Sequence, residues 1–283
     1  MEQARGFFKK IIELIKKPEM RILPGQLAFF LVISIIPIIA LIGTIASSLS
    51  VSADTITLTI GDSVPKEIAN MLKEFAEGQG INFNISIFFI SAFFLASNGT
   101  HSMIITSNEI YKIESRDVVS RRIKAILMIL VLVSLFSFLL IVPVFSDKLF
   151  ALLGYFVKDQ TSLAFFYQIF RILKYPIIIL ILYFNIKLLY VMAPDERIPS
   201  SSTTKGAIFT TICWIIATEI YAFYIDTFSK YSIFYGSISN LLILLLWIYI
   251  LSYIFVLGMG INAGTYDNIN KTKQHKLKID KEA

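Results

Sequence analysis

Charge is scarce in this chain. Only 16% of its 283 residues are Asp, Glu, Lys or Arg, where a soluble domain carries about a quarter. A water-soluble globule of this size could not cover its surface with so few charges, and 56% of the residues are hydrophobic. With a mean hydropathy of +0.72, lipid is the expected solvent for much of the chain. Cysteine is nearly absent. The single Cys213 rules out an intramolecular disulfide. Histidine is limited to His101 and His275, so the sequence implies neither a structural zinc cluster nor a metal-dependent hydrolase. No Walker phosphate loop, His-Glu-x-x-His pattern or nucleophile-elbow serine motif occurs, and no cofactor is implied.

What is present is a series of long apolar runs. They predict an all-α integral membrane protein, with transmembrane spans at about 23–49, 85–105, 123–145, 175–192, 207–228 and 238–263. Each has roughly 18 or more mostly apolar residues, enough at 1.5 Å per residue to cross a ~30 Å hydrocarbon core. The bundle occupies 23–264. Before it, residues 1–22 interleave Phe7, Phe8, Ile11, Ile12, Leu14 and Ile15 with Lys9, Lys10, Lys16 and Lys17. That pattern suits a basic amphipathic helix on a membrane surface, ended by Pro18. No cleavage site follows it. Residues 265–283 form a basic tail.

The formal charge of +6 resembles a nucleic-acid signal until it is placed along the chain. Lys and Arg concentrate in the N-terminal segment, at Lys112, Arg116, Arg121, Arg122 and Lys124, at Arg197 and Lys205, and in the tail. By the positive-inside rule this alternation puts both termini in the cytoplasm of a multi-pass inner-membrane protein. The basic termini suit anionic lipid headgroups, and no nucleic-acid partner is expected. Arg171 and Lys174, on the outer side, depart from the rule and either snorkel or line a cavity. The outer loop 51–80 is expected to hold a short amphipathic helix, with Asp62-Ser63 as cap and Pro65 in its first turn.

Ionisable and polar groups inside spans are costly and mark candidate sites. Glu219 lies roughly 16–21 Å along the helix from Lys205 and from Lys230, near mid-membrane. Asp226 follows on nearly the same face, about 10 Å further out. Two readings stand for Glu219. It is a proton- or cation-binding carboxylate facing a polar cavity, or a structural acid paired with Arg171, Lys174 or Lys187. In the second span Asn98, His101 and Asn108 share a face, with Glu109 following. Asn98 either lines a path or hydrogen-bonds between helices, and His101 either titrates near neutral pH or packs. Asn185 and Lys187 in the fourth span, and Gln26 and Ser34 beside the expected kink at Pro37, complete the polar set. Gly258 and Gly260, with Asn262 beyond, allow close helix approach.

Taken in order, "LPGQLAFFLVISIIPIIALIG", "SNGTHSMIITSNEIYKI" followed by "RRIKA", Tyr235-Gly236 and "LLLWIYILSYIFVLGMGINA" resemble the YihY/BrkB family of bacterial inner-membrane proteins. The resemblance covers nearly the whole chain. Similar sequences often carry an acid shortly before the closing Asn262, where this one has Gly260-Ile261. Some family members were once labelled ribonuclease BN, and others are associated with serum resistance or lipopolysaccharide-related lipid export. The ribonuclease label fits these residues badly, because the basic groups flank spans and no aromatic-basic platform for single strands exists. The leading expectation is a transporter or lipid translocase of the cell envelope, acting on a lipid or small solute. The alternatives are a non-transporting scaffold for envelope assembly and, last, an intramembrane enzyme. Substrate, direction, coupling ion and oligomeric state do not follow from the sequence.

Overall fold

Helix carries all the regular structure in the computed structural model, which describes residues 2–48, 85–133, 160–228 and 237–282. The helices are α1 (Glu2–Ile15), α2 (Glu19–Ser48), α3 (Ile85–Tyr111), α4 (118–133), α5 (Gln160–Met192), α6 (Thr204–Phe228) and α7 (Ser237–Glu282). The outer loop 51–80, with its expected Asp62-Ser63 cap, lies outside the described residues, as does the part of the third expected span beyond residue 133.

Local chemistry sets several helix ends. Pro18 lacks an N–H and sits in the turn between α1 and α2. The polypeptide then runs through Pro24 and Pro37 without leaving helix. α3 continues past its apolar stretch to Tyr111, as its sequence pattern indicates. It closes by a Schellman motif: Ile113 N–H donates to Asn108 O at 2.9 Å, and Lys112 N–H to Glu109 O at 3.3 Å. Lys112 takes the left-handed position at φ 56°, which glycine usually fills. Asp117 caps α4, its carboxylate accepting from Ser120 N–H at 2.9 Å. That bond holds the Asp117 carboxyl below its ordinary value.

Two helices differ in extent from the expected spans. α5 begins at Gln160 rather than near 175 and carries Pro176 in its interior. α7 does not stop with its apolar stretch. Its 46 residues amount to roughly 69 Å, about twice a hydrocarbon core, so the basic tail prolongs this helix to Glu282. Among the described residues, Thr204–Ile225 and Leu242–Asp267 are long and apolar enough to cross a membrane, and Pro176–Met192 is a shorter apolar helix.

The chain divides into two compact units. One comprises Met1–Ile33, Ser97–Met128 and Ile186–Ala283, the other Ser34–Ala96 and Ile129–Asn185. In the first, Leu27, Ile104, Ile186, Tyr190, Phe255, Val256 and Met259 are buried. In the second, Leu41, Ile129 and Val133 are buried, and Ser34 donates to Leu95 O at 3.5 Å.

Large apolar side chains also stand exposed in helical rows: Ile208, Ile212, Ile216 and Ile220 on α6, and Val119, Ile123 and Leu127 on α4. Meanwhile Ser97, Thr100, Thr106, Asn108, Thr210 and Asn262 are buried. Water as solvent would favour the reverse distribution, so these rows suit contact with lipid or another apolar surface.

Candidate functional site

Asp195 organises a polar cluster in the first unit. It follows Pro194 in the connection between α5 and α6, and its side chain is only 1% exposed. Oδ2 accepts from Asn108 Nδ2 at 2.6 Å and from Arg116 N–H at 3.1 Å. Oδ1 pairs with Lys124 Nζ at 3.1 Å. In return, Asp195 N–H donates to Asn108 Oδ1 at 2.9 Å, so the two residues bond each other twice. Lys124 also donates to Ala193 O at 3.0 Å and Pro194 O at 2.6 Å. Burial by itself would raise the Asp195 carboxyl. The bonds from Arg116, Asn108 and Lys124, with the Lys124 charge, outweigh it and hold the group below its ordinary value. The cluster ties the end of α3, the start of α4 and the α5–α6 connection together.

From Ser97 to Asn108, α3 buries many small polar side chains, while Asn98, His101 and Ile105 form a half-buried face. Ser97, Thr100, Ser102, Thr106, Ser107 and Asn108 are each at most 2% exposed, and at 100° per residue they lie away from that face. Thr100 Oγ1 donates across to Ala125 O at 2.8 Å. The hydroxyls of Ser102, Thr106 and Ser107, with His101 Nε2, are buried without a hydrogen-bond partner. Buried polar atoms are nearly always satisfied, so water or a ligand is the expected partner.

A third feature holds α6 against α7. Asn262 Oδ1 accepts from Gly206 N–H at 2.7 Å in the first turn of α6. A Cβ on Gly206 would collide with the Gly258 carbonyl, and one on Gly258 with the hydroxyls of Thr210 and Tyr190. Tyr190 donates to Phe255 O at 2.8 Å and lies 2.6 Å from Thr210 Oγ1. Since a tyrosine has one proton, Thr210 donates in that second bond. Nearby, Gly260 lets Leu14 of α1 approach, its Cδ2 lying 3.1 Å from where a Cβ would stand.

Asn98 is half-buried and accepts from Arg122 Nη1 at 2.9 Å, an interhelical bond. His101 is half-buried, within electrostatic reach of Arg121, Arg122 and Asp195. Asn185 is buried in the second unit and donates to Ile181 O of its own helix at 3.0 Å. Gln26 is half-buried on α2. Glu219 is exposed, on the same side of α6 as Ile212, Ile216 and Phe223. Asp226 belongs to α6 by its backbone, and its side chain lies outside the described set.

Sequence reasoning missed Asp195, Lys124 as its partner, and Tyr190. The available signal for Asp195 was an acid directly after a proline in a short connection between apolar helices. Its partner Asn108 is 87 residues away, and no local spacing shows that.

Comparison with known proteins agrees with the sequence resemblance. Over 262 residues the chain is 27% identical to the protein of Bacillus subtilis (strain 168) named ribonuclease-like protein YfkH, covering 91% of this chain and 94% of that one. It is 24% identical over 292 residues to a UPF0761 membrane protein of Pseudoalteromonas translucida, covering 98% and 92%. With a UPF0761 membrane protein of Vibrio parahaemolyticus the identity is 23%, covering 91% and 81%. No solved structure matches. The profile of the family described as Virulence factor BrkB matches residues 12–282, nearly the entire length, and the chain belongs to that family.

Proposed function

We propose that this protein is a six-span transporter or lipid translocase of the bacterial cytoplasmic membrane, with both termini in the cytoplasm. The observation that carries the reading is the stretch of α3 from Ser97 to Asn108, which buries many polar side chains, with hydroxyls awaiting partners. A helix serving only as an anchor has no reason to bury so many polar groups, whereas a path for a polar headgroup or solute needs them. The exposed apolar rows on α4 and α6 supply the lipid-facing surface. Membrane lipids are the natural partners, with anionic headgroups at the basic termini. The reading contains no chemical step. It takes no nucleic acid as substrate, because the basic residues flank apolar helices.

The test is reconstitution of purified protein in liposomes with fluorescent lipids scored for movement between leaflets. Wild type is compared with Thr106→Val, which removes a hydroxyl at constant shape, and with Glu219→Gln. Movement that Thr106→Val reduces supports a path along α3. Loss in Glu219→Gln gives the carboxylate a coupling role, and full activity there removes that role. No movement of any lipid by folded wild type sinks the translocase.

A scaffold role in envelope assembly is the second reading. It is favoured by the extension of α7 well past its apolar part to Glu282. In that case deleting 271–283 abolishes partner co-purification, and Thr106→Val changes nothing.

A further inference from the structure

Among the described residues of the first unit, Arg121 stands out as a cation that meets no counterion. It is half-buried in the first turns of α4. Its Nε is buried and meets no acceptor, and no carboxylate pairs with it among the described residues. The nearby acid Asp195 is engaged by Asn108, Arg116 N–H and Lys124. On α3, Asn98, His101 and Ser102, at spacings of three and four, share one side of the helix. Arg122 reaches Asn98 at 2.9 Å, which fixes where α4 meets that side. His101 is within electrostatic reach of both arginines. Its Nε2 is buried without a partner, and so is the hydroxyl of Ser102, a residue 1% exposed.

The inventory is rich in donors. The Arg121 guanidinium carries five N–H groups, and Arg122, bound to Asn98, adds a second positive charge, with a hydroxyl and an imidazole nitrogen on α3. A neutral solute can supply acceptors but not the negative charge that two guanidinium groups favour. A tetrahedral oxyanion has both, and planar guanidinium groups bind it through paired bonds. Leaving the buried Nε and hydroxyl unmet would be costly.

We propose that the side of α3 formed by Asn98, His101 and Ser102, met by Arg121 and Arg122 of α4, binds a phosphate-type oxyanion. The ligand class is a phosphate ester or free phosphate. The proposal rests on the translocation reading in one respect: it names the substrate chemistry of the same polar interior.

The experiment measures binding to the full-length protein in neutral detergent, without transport. Thermal unfolding is followed against inorganic phosphate at constant ionic strength, against short-chain phosphatidic acid, and against the matching uncharged diacylglycerol. A saturable rise in unfolding temperature is expected with a phosphate-bearing probe, with at least tenfold weaker binding in Arg121→Gln and partial recovery in Arg121→Lys. Ser102→Ala, which removes only a hydroxyl, is expected to weaken binding severalfold, and it carries the test if Arg121→Gln does not fold.

A response to inorganic phosphate identifies a free anion, and a response to phosphatidic acid alone identifies a lipid headgroup. The proposal is overturned if neither phosphate probe saturates, which would leave only water at the site. It is equally overturned if diacylglycerol acts as well, or if folded Arg121→Gln or Ser102→Ala binds as tightly as wild type. Liposome transport by wild type is scored separately. Binding without transport keeps the site and discards translocation, and transport without binding does the reverse.

Discussion

Replacing Asp195 with Asn tests the polar cluster directly. The amide keeps the carboxylate's shape but removes the charge opposite Lys124 at 3.1 Å. A hydrogen bond between charged groups contributes roughly 1.5–3 kcal/mol, and breaking a buried ion pair costs roughly 3–5 kcal/mol. Lys124 is 24% exposed and keeps its bonds to Ala193 O and Pro194 O, so the loss should fall near the overlap, at about 2–3 kcal/mol. The assay is reversible unfolding in mixed micelles titrated with SDS, run as a double-mutant cycle with Lys124→Gln. A coupling of about 1–2 kcal/mol is expected for a close, partly shielded pair. The pH dependence has a definite sign. The folded carboxyl is held below its unfolded value of about 3.9. Its contribution is therefore present above that value and is lost as pH falls through the folded pKa. The gap between wild type and Asp195→Asn should be flat from about pH 8 to 5 and close below about pH 4. A gap under about 0.5 kcal/mol at neutral pH, or one unchanged in acid, would refute the assignment of this pair as a structural tie.

The α6–α7 approach and the end of α3 make two further predictions. Gly258→Ala should destabilise by about 1–3 kcal/mol or more through overpacking, since the new methyl meets Tyr190 and Thr210. Gly264→Ala, where a Cβ meets nothing within 4 Å, should be near neutral in the same unfolding assay, and equal losses at both positions would contradict the close contact. Lys112→Gly should stabilise by about 1 kcal/mol, because glycine occupies the left-handed region at no steric cost. A destabilised variant would show that the Lys112 side chain contributes more than its backbone strain removes.

Much of the helical plan was legible because it depends on near neighbours. Pro18 parts α1 from α2, the helix through Asn98 and His101 runs on to Tyr111, and the small residues near Asn262 let another helix come close. The site was less legible. Glu219 drew attention because a carboxylate in an apolar run is costly, yet periodicity alone could not say which way α6 faces. The structure sets Glu219 on the side of exposed isoleucines. Asn98 was read as either a path residue or an interhelical tie, and which residue it meets, Arg122 at 2.9 Å, no local pattern could say.

Composition, apolar run length and the order of motifs determined by themselves that the chain is helical, apolar outside and a BrkB relative, since each is a property of contiguous residues. Which polar residues meet was decided by the tertiary structure alone. Asp195 finds Asn108 and Lys124, and Asn262 finds Gly206, across separations of 87, 71 and 56 residues. Such bonds depend on helix rotation and packing, and those are set by the sum of many contacts rather than by any local pattern.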